Sequence, residues 1–452
     1  MPFIPHTELE TKAMLNAIGV DSIKELFSEI PPELMTGDLN KIPSGSSEME
    51  LARELRERAL KDLGGPCFIG AGSYQHHIPA AVWELTGRGE FMTAYTPYQA
   101  EASQGGLQLI YEYQSMMAKL MGMEVSNASL YDGSTSAAEA ALMAVRCNRR
   151  IKSKRVLLLG SVNPTYTRVI HTLVTNQDIE LQQVVFSAEK GHVELEQLAL
   201  YAEEEFAAVI IQQPNFFGQL ELVDQLTDWA HSKNALVIAL VNPIAMALLK
   251  EPGQWGTDGA DIVCGEGQPL GIPMASGGPY FGIFCSKKDY ARQMPGRIVG
   301  RTVDTDGKQG FVLTLQAREQ HIRRAKATSN ICTNQGLAVT AATIYMSILG
   351  YSGLQRVAIA CHHRLQQLIK AVETIAGVEV QFVGPRFHEV ALKLPIPAAT
   401  AIEKMAALGF QAGYDLGKDF STLKNSLLVC TTETKSEQDI AAYQQALKSI
   451  IE

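Results

Sequence analysis

The residues best suited to chemistry follow predicted strands or precede a predicted helix. The segment Asp132–Ser136 (Asp-Gly-Ser-Thr-Ser) stands before an apolar helical run, Ala137–Val145. A Gly/Ser/Thr turn at a helix start can present backbone N–H groups and hydroxyls to a phosphate, helped by the positive end of the helix dipole. The alternative is an ordinary N-cap, in which Ser134 or Thr135 satisfies the free amides of the first turn.

Two later positions lack groups that amine chemistry at such a site would need. The predicted strand Leu236–Val241 ends at Asn242, where an active type I pyridoxal-phosphate (PLP) enzyme commonly has an aspartate under the ring nitrogen. Such an enzyme also needs a lysine to hold the PLP aldehyde as a Schiff base. The segment between Lys250 and Lys287 is typical of that anchoring region but contains no lysine, and the expected position falls near Gln268 or Pro269. This pattern predicts a degenerate cofactor site and a partner chain.

The composition is that of an ordinary globular protein. The chain has 452 residues, 46% of them hydrophobic and 19% charged, with a formal net charge of -9. Because nucleic-acid binding requires a basic surface, this charge argues against it and favours a small neutral or amphoteric substrate. The seven cysteines are odd in number and never spaced as C-x-x-C, which favours a reducing cytoplasm over a disulfide framework or a structural zinc site. We expect no bound metal.

No targeting or membrane segment is predicted. The segment 1–10 contains two prolines and two glutamates and lacks the apolar core of a signal peptide. We find no apolar run long enough to span a bilayer. The sequence therefore predicts a cytoplasmic protein without a signal peptide, transit peptide or membrane anchor.

Apolar strand-like runs alternate with amphipathic stretches from residue 64 onward. The predicted strands are 156–159, 184–186, 208–211, 236–241 and 262–264. This alternation indicates a mainly parallel sheet covered by helices on both faces. We therefore predict an α/β protein with the type I PLP-dependent transferase (aspartate aminotransferase-like) fold.

Three regions are predicted along the chain. Residues 1–63 form an N-terminal helical arm, in which Ser47 and Glu50 make a capping box at the start of a helix. Residues 64–335 form the large α/β domain with the degenerate cofactor site. Residues 336–452 form a smaller C-terminal α+β domain, which a long helix over 337–349 introduces.

Five segments are specific enough to indicate a family. They are 70–79 (GAGSYQHHIP), 93–105 (TAYTPYQAEASQG), 127–133 (NASLYDG), 265–271 (GEGQPLG) and 318–333 (REQHIRRAKATSNICT). In these segments the chain resembles the glycine cleavage system P-protein family, and more closely the N-terminal half of its members. The resemblance covers nearly the whole chain in the right order, and the chain length corresponds to the first (alpha) subunit of the two-subunit form.

The resemblance implies a subunit of glycine decarboxylase, an aminomethyl-transferring glycine dehydrogenase, and a chain that is inactive alone. A second (beta) subunit would carry the PLP lysine, usually in an α2β2 assembly. The complex would decarboxylate glycine and transfer the aminomethyl group to the lipoyl arm of the H-protein. Because type I PLP sites lie at subunit interfaces, this chain can still complete the pocket of its partner.

The loop around Tyr95 is the predicted contribution to that pocket. Tyr95, Thr96, Tyr98 and Gln99 offer two phenols, a hydroxyl and an amide on a proline turn, suited to hydrogen-bonding a carboxylate or lining a lipoyl channel. The alternative is a buried aromatic turn with satisfied hydroxyls. His76, in the first resembling segment, is predicted as an active-site neighbour, and its alternative is a structural histidine.

A basic and polar run is predicted to bind the partner's cofactor across the interface. Arg318, Thr328 and Ser329 could contact the PLP phosphate. The alternatives are a solvated helix face with ion pairs to Glu319, and a cap on the helix from Gln335.

Two other functions remain open from the residues. One is a self-contained PLP enzyme that uses Lys287, Lys288 or Lys326, although none of these resembles a single desolvated amine. The other is a non-catalytic scaffold subunit. The polar composition of the Tyr95 loop favours a working subunit, because apolar residues would suffice for a scaffold interface.

Overall fold

A computed structural model describes residues 6–35, 41–43, 45–62 and 64–452. The chain divides into two compact units, Met1–Asp62 and Leu63–Glu452. In the first unit, α1 (Glu8–Ile18) and α2 (Glu48–Ala59) each begin at a capping box, and neither has a buried residue in the described part. The capping box predicted at Ser47 and Glu50 is confirmed.

The second unit is built on a seven-stranded sheet. Its strands, in chain order, are β1 (Val125–Ser126), β2 (Arg155–Leu159), β3 (Glu180–Val184), β4 (Ala208–Gln213), β5 (Leu236–Val241), β6 (Ile262–Glu266) and β7 (Gly282–Ser286). The spatial order is β1-β7-β6-β5-β4-β2-β3. The strands from β2 to β6 run parallel, and β7 and β1 add an antiparallel edge.

Most predicted strands are present, with one shift. The prediction at 184–186 is wrong, because the strand is β3, which ends at Val184. The polar residues Gln182 and Gln183 hid this strand, which lies at the edge of the sheet and is only partly buried. By contrast, β5 matches the prediction at both ends, because its interior position buries five of its six consecutive apolar residues.

Helices cover the sheet and connect its strands. They are α3 (Ala80–Thr86), α4 (Gln104–Leu120), α5 (Gly133–Cys147), α6 (Pro164–Val174), α7 (Leu195–Leu198), α8 (Val223–Ser232) and α9 (Gln320–Arg323). A hairpin of β8 (Ile298–Val303) and β9 (Gln309–Thr314), which the sequence analysis did not predict, packs against α4. Leu107 of α4 and Phe311 of β9 belong to the apolar cluster that joins them.

A smaller four-stranded sheet follows the long helix α10 (Gly336–Val372). Its strands are β10 (Glu379–Val380), β11 (Glu389–Lys393), β12 (Tyr414–Asp415) and β13 (Ser426–Cys430), and its helices are α11 (Ala398–Ala407) and α12 (Glu437–Ile451). Gly350 interrupts α10 with φ 60° and ψ -178°. Residues before this break, such as Tyr345, join the core of the large sheet, whereas Leu365 and Leu368 join the core of the small one.

Helix α10 is also long and apolar enough to cross a membrane, judged by length and composition alone. The expectation that no such run exists is therefore corrected. Half of its most apolar 18-residue window is buried inside the protein. A core helix of a soluble protein passes the same test of length and composition, so one such helix is weak evidence for a membrane span.

Candidate functional site

Polar side chains meet where strands β5 and β6 end and helix α5 begins. Asn242 follows β5, Glu266 ends β6 and Gly133 opens α5. The carboxyl ends of parallel strands lie at one edge of a sheet, where open α/β proteins bind their ligands. The side chains there enclose a cavity of about 40 Å³, which we call the sheet-end cavity. It is lined by Gly72, Tyr74, Asn163, Tyr166, Gln212, Pro214, Leu240, Val241, Asn242, Glu266, Pro269, His388 and Glu389.

The start of α5 is filled by carboxylates of the chain itself. Glu266 Oε2 accepts the N–H of Gly133 at 3.0 Å, and Asp132 Oδ1 accepts the N–H of Thr135 at 2.8 Å. The N-cap is therefore Asp132, and the prediction that Ser134 or Thr135 caps the helix is wrong. Asp132 has the extended backbone that an N-cap requires, and a carboxylate is a stronger acceptor than a hydroxyl.

Gln268 occupies the region where the lysine was expected, and its side chain connects the segment at Tyr74 to the segment at Ile272 by hydrogen bonds. Its Oε1 accepts the N–H of Tyr74 at 2.8 Å. Its Nε2 donates to the carbonyls of Tyr74 at 2.9 Å and Ile272 at 2.8 Å. The side chain is buried. All three contacts are internal, so Gln268 has a structural role at this position.

Burial shifts the pKa of the ionisable groups around the sheet-end cavity toward their neutral forms. It raises the pKa of Glu266 to about 8 and that of Glu389 to about 7, against the opposing effect of hydrogen bonds from backbone N–H groups and, for Glu389, from Tyr74. Burial also lowers the pKa of His388 to about 3, so its imidazole is neutral at pH 7. The cavity therefore has no cationic group among its lining residues to attract a phosphate.

The residues around this cavity do not fit PLP. The lining contains no lysine, and the helix start that would bind a phosphate is occupied by Glu266. Asn242 replaces the expected aspartate, and its Oδ1 accepts the N–H of Ile244 at 2.9 Å. A volume of about 40 Å³ is also far below the roughly 300–1,000 Å³ of ordinary small-molecule pockets.

His76 lies in a buried contact between the first resembling segment and the C-terminal region. Its Nδ1 is 2.8 Å from Glu433 Oε2, and Glu433 also accepts the N–H of His77 at 2.7 Å and the thiol of Cys361 at 3.2 Å. Burial by itself would raise the pKa of Glu433, but His76 and the backbone of His77 lower it to about 2. The contact agrees with the structural alternative for His76, and its active-site role stays a prediction.

The loop 93–103 forms a second polar centre. Tyr95 is 82% exposed, whereas the hydroxyl of Tyr98 accepts a hydrogen bond from Arg297 Nη2 at 3.0 Å and donates one to Glu319 Oε2 at 3.0 Å. Thr96 O accepts the N–H of Tyr98 at 2.8 Å, which tightens the turn. The two phenols therefore differ, because that of Tyr98 is engaged within the chain and that of Tyr95 is presented to its surface.

Arg318, Thr328 and Ser329 line a cavity of about 20 Å³ beside this loop, together with Arg297 and Glu319. The guanidinium of Arg318 donates to the carbonyl oxygens of Met294 and Gly296. Ser329 Oγ accepts the N–H of Ile331 at 3.1 Å. The structure thus brings the residues predicted to bind a phosphate next to Tyr98, and His76 lies apart from them in its own cluster.

The residues that organise both centres were not predicted from the sequence. Arg297 precedes the unpredicted hairpin of β8 and β9, so no pattern marked it. Glu319 was considered only as an ion-pair partner of the basic run. Its Oε2 lies 3.3 Å from Arg297 Nε and 3.7 Å from His321 Nδ1. Glu389 begins strand β11 of the small sheet and Glu433 lies in the turn between β13 and α12, and only the fold brings them to the large sheet.

Three comparisons with known proteins agree with one another. The family model of the glycine cleavage system P-protein matches residues 1–447. The probable glycine dehydrogenase (decarboxylating) subunit 1 of Thioalkalivibrio sulfidiphilus is 58% identical over 451 residues, which cover 100% of each chain. The protein of the same name from Alcanivorax borkumensis is 57% identical over 452 residues, again with 100% of each chain covered.

Solved structures give the same result. A crystal structure of glycine decarboxylase (P-protein) of the glycine cleavage system, in inhibitor-bound form, superimposes with a TM-score of 0.89 at 38% identity over 100% of both chains. A sphingosine-1-phosphate lyase of Burkholderia pseudomallei, with a TM-score of 0.66 and 14% identity over 93% of this chain and 94% of its own, shares the fold alone. The predicted type I PLP-dependent fold is confirmed.

Proposed function

The chain belongs to the glycine cleavage system P-protein family, and on that premise we propose that it is one subunit of a glycine decarboxylase whose second subunit holds PLP. The curated relatives are named subunit 1, and this chain covers their full length. One observation supports the division of labour above all others. The Glu266 side chain fills the start of α5, and the Gln268 side chain is held by the backbone of Tyr74 and Ile272 where the lysine was expected, so the residues around the sheet-end cavity offer neither the amine nor the anion site that PLP would need.

In this proposal the assembled complex decarboxylates glycine and transfers the remaining aminomethyl group to the oxidised lipoyl arm of the H-protein, which is thereby reduced. PLP, when bound by the second subunit, supplies the electron sink for the loss of CO2. The assembly is proposed as an α2β2 tetramer of the cytoplasm.

The contribution of this chain is proposed to come from the loop 93–103. Tyr95 has an exposed phenol that can hydrogen-bond a carboxylate or line the path of the lipoyl arm. Thr96 and Gln99 add polar groups to the same turn. Tyr98, which is itself 44% exposed, holds the turn in place, because both hydrogen-bonding functions of its hydroxyl are used within the chain.

Arg318, Thr328 and Ser329 are proposed to face the partner's phosphate. Arg318 uses N–H groups of its guanidinium on backbone carbonyls, which fixes the polar wall. The hydroxyl of Thr328 can donate to a phosphate oxygen, and that of Ser329, which hydrogen-bonds Glu139 within the chain, would have to exchange this partner for the phosphate. His76 is proposed to support this arrangement only indirectly, through its contact with Glu433.

A self-contained PLP enzyme is the less favoured alternative. The amine of Lys287 donates to Asp261 Oδ1 at 2.7 Å, and Asp261 directly precedes β6. Glu266 lies at the opposite end of that strand, and each residue of a strand advances by about 3.3 Å. Lys287 therefore lies at the wrong edge of the sheet to reach the sheet-end cavity.

Two measurements on the wild-type chain test the proposal. The visible absorption of the chain with PLP, before and after borohydride reduction, should show no reducible aldimine. Glycine–bicarbonate exchange should require this chain, the second subunit and the H-protein together. A PLP adduct trapped on this chain, or exchange without the second subunit, would overturn the proposal.

A further inference from the structure

We propose that Arg297 is the positioning residue that holds the loop 93–103 in its working shape. This inference rests on the proposed function, because the shape matters for catalysis only if Tyr95 and Thr96 face the partner's active site. It adds a residue and a physical role that neither the sequence motifs nor the family match assigns.

Arg297 is buried, and the three nitrogens of its guanidinium contact four partners. It is only 6% exposed. Its Nη2 donates to the hydroxyl of Tyr98 at 3.0 Å and to the carbonyl of Cys332 at 2.9 Å. Its Nη1 donates to Thr333 Oγ1 at 2.7 Å, and its Nε forms an ion pair with Glu319 at 3.3 Å. One guanidinium therefore joins the loop 93–103 to the wall that carries the proposed phosphate ligands.

Tyr98 is held by more than one contact. Its hydroxyl bridges the cation of Arg297 and the carboxylate of Glu319, and its ring lies 5.4 Å from the Arg297 guanidinium carbon. The imidazole of His321 meets the same ring edge-on at 5.5 Å. Charge-assisted hydrogen bonds and cation–π contacts are among the stronger polar interactions in partly buried sites. The turn that carries Tyr95 is thereby fixed from one side.

The backbone of Arg297 is itself rigid, so it can serve as the reference point. Its carbonyl accepts the N–H of Ala128 at 2.8 Å. Two residues further on, Val299 exchanges hydrogen bonds with the side chain of Gln114 on α4, at 2.9 Å in both directions. The hairpin of β8 and β9 packs on the same helix. A loop tied to this residue is tied to the core of the large sheet.

The decisive variant is Arg297→Ala in the assembled complex, with Arg301→Ala as its matched control. Arg301 lies four residues after Arg297, in strand β8, and its side chain is exposed. At saturating second subunit and H-protein, we expect Arg297→Ala to lower kcat for glycine–bicarbonate exchange by about 10- to 100-fold, the loss that a misplaced contact of this kind causes. The half-saturating concentration of the second subunit should change by less than about threefold, since no residue of the exposed turn is removed.

Rescue separates positioning from general damage. Arg297→Lys should recover part of the lost rate because it keeps the charge but not the fork of donors, and added guanidinium should partly restore Arg297→Ala. The inference is wrong if Arg297→Ala matches Arg301→Ala, or if its rate returns to that of the wild type once the second subunit is saturating. The second result would assign Arg297 to assembly alone.

Hydrogen exchange distinguishes failure of this inference from failure of the proposed function. In the isolated full chain, backbone amides of residues 93–103 should exchange at least about tenfold faster in Arg297→Ala than in Arg301→Ala. If the wild-type complex shows no glycine exchange, the proposed function fails, and these amides still decide whether Arg297 positions the loop. Equal exchange in the two variants would refute the positioning role.

Discussion

The sheet-end cavity and the loop 93–103 both bring tyrosine hydroxyls together with glutamate side chains, but the polar groups find their partners in different ways. Around the cavity, Gln268, Glu266 and Glu389 bond to neighbouring backbone groups and to Tyr74. At the loop 93–103, Arg297 and Glu319 hydrogen-bond to Tyr98 from outside the loop, and Tyr95 remains at the surface. The polar side chains around the cavity therefore bond to one another and to the backbone, whereas those at the loop leave the Tyr95 phenol exposed to solvent or to a partner.

The difference shows how two polar centres of one fold meet the same physical requirement in different ways. A buried polar group costs free energy unless it finds a partner, so a buried centre without a ligand must satisfy its hydrogen bonds from within the chain. Glu266 does this at the start of α5, where the N–H of Gly133 would otherwise lack a partner. The polar groups of the exposed turn do not need internal partners, because water or a partner chain can supply their hydrogen bonds. Four experiments test whether the two centres differ in this way.

The largest effect on stability is expected when one carbon atom is added beside the sheet-end cavity, at Gly133. A Cβ on Gly133 would lie 2.5 Å from the Tyr166 hydroxyl and 2.6 Å from the backbone nitrogen of Glu266. Gly133→Ala should therefore destabilise the chain by about 3 kcal/mol. Gly106→Ala is the control, since its Cβ meets nothing within 4 Å in helix α4. Urea unfolding of both variants measures the difference, and equal stabilities would show that the centre is not tightly packed.

The next largest effect is expected on the activity, from a change in the loop 93–103. Tyr95→Phe removes only a hydroxyl from a side chain that is 82% exposed. In the assembled complex it should lower kcat/KM for glycine exchange by about 10- to 100-fold, as expected for a lost hydrogen bond to a charged group. The free energy of unfolding should stay within about 0.5 kcal/mol of the wild type. An unchanged rate would remove Tyr95 from the proposed site.

The third effect is a pH dependence of stability around the sheet-end cavity. Burial raises the pKa of Glu266 to about 8 and of Glu389 to about 7, above the value of about 4.3 in an unfolded chain. Their contribution to stability is therefore complete below about pH 4.3 and is lost as pH rises through the folded-state values.

Glu266→Gln isolates one of these carboxyls. It should flatten the fall of the unfolding free energy between pH 5 and 8 by up to about 1.4 kcal/mol per pH unit. Urea titrations of the isolated chain across that range provide the measurement. A parallel slope in the variant and the wild type would mean that Glu266 is already ionised in the folded protein.

The smallest effect is a difference in the stability cost of removing the hydroxyl of Tyr98 and that of Tyr95. Tyr98→Phe leaves Arg297 and Glu319 without their shared partner, which should cost about 1 kcal/mol. Tyr95→Phe should cost almost nothing by the same assay. Thermal unfolding of the two variants in parallel is sufficient, and equal losses would show that Tyr98 is not an anchor.

Much of the large sheet could be predicted from local pattern. Strand β5 is six consecutive apolar residues, and the absence of lysine between Lys250 and Lys287 is visible without any structure. Strand β3 was misplaced because its glutamines break the pattern at a partly buried edge. The hairpin of β8 and β9 was missed because its exposed half, from Arg301 to Lys308, reads as a loop.

The fold class, the family and the missing amine follow from the amino-acid sequence alone, because they depend on residue types and their order along the chain. The groups that fill the sheet-end cavity and those that anchor the exposed loop became known only from the tertiary structure. Glu266 meets Gly133, and Arg297 meets Tyr98, across separations of 133 and 199 residues. Contacts of that range depend on strand order and hairpin packing, and no local periodicity of the chain records them.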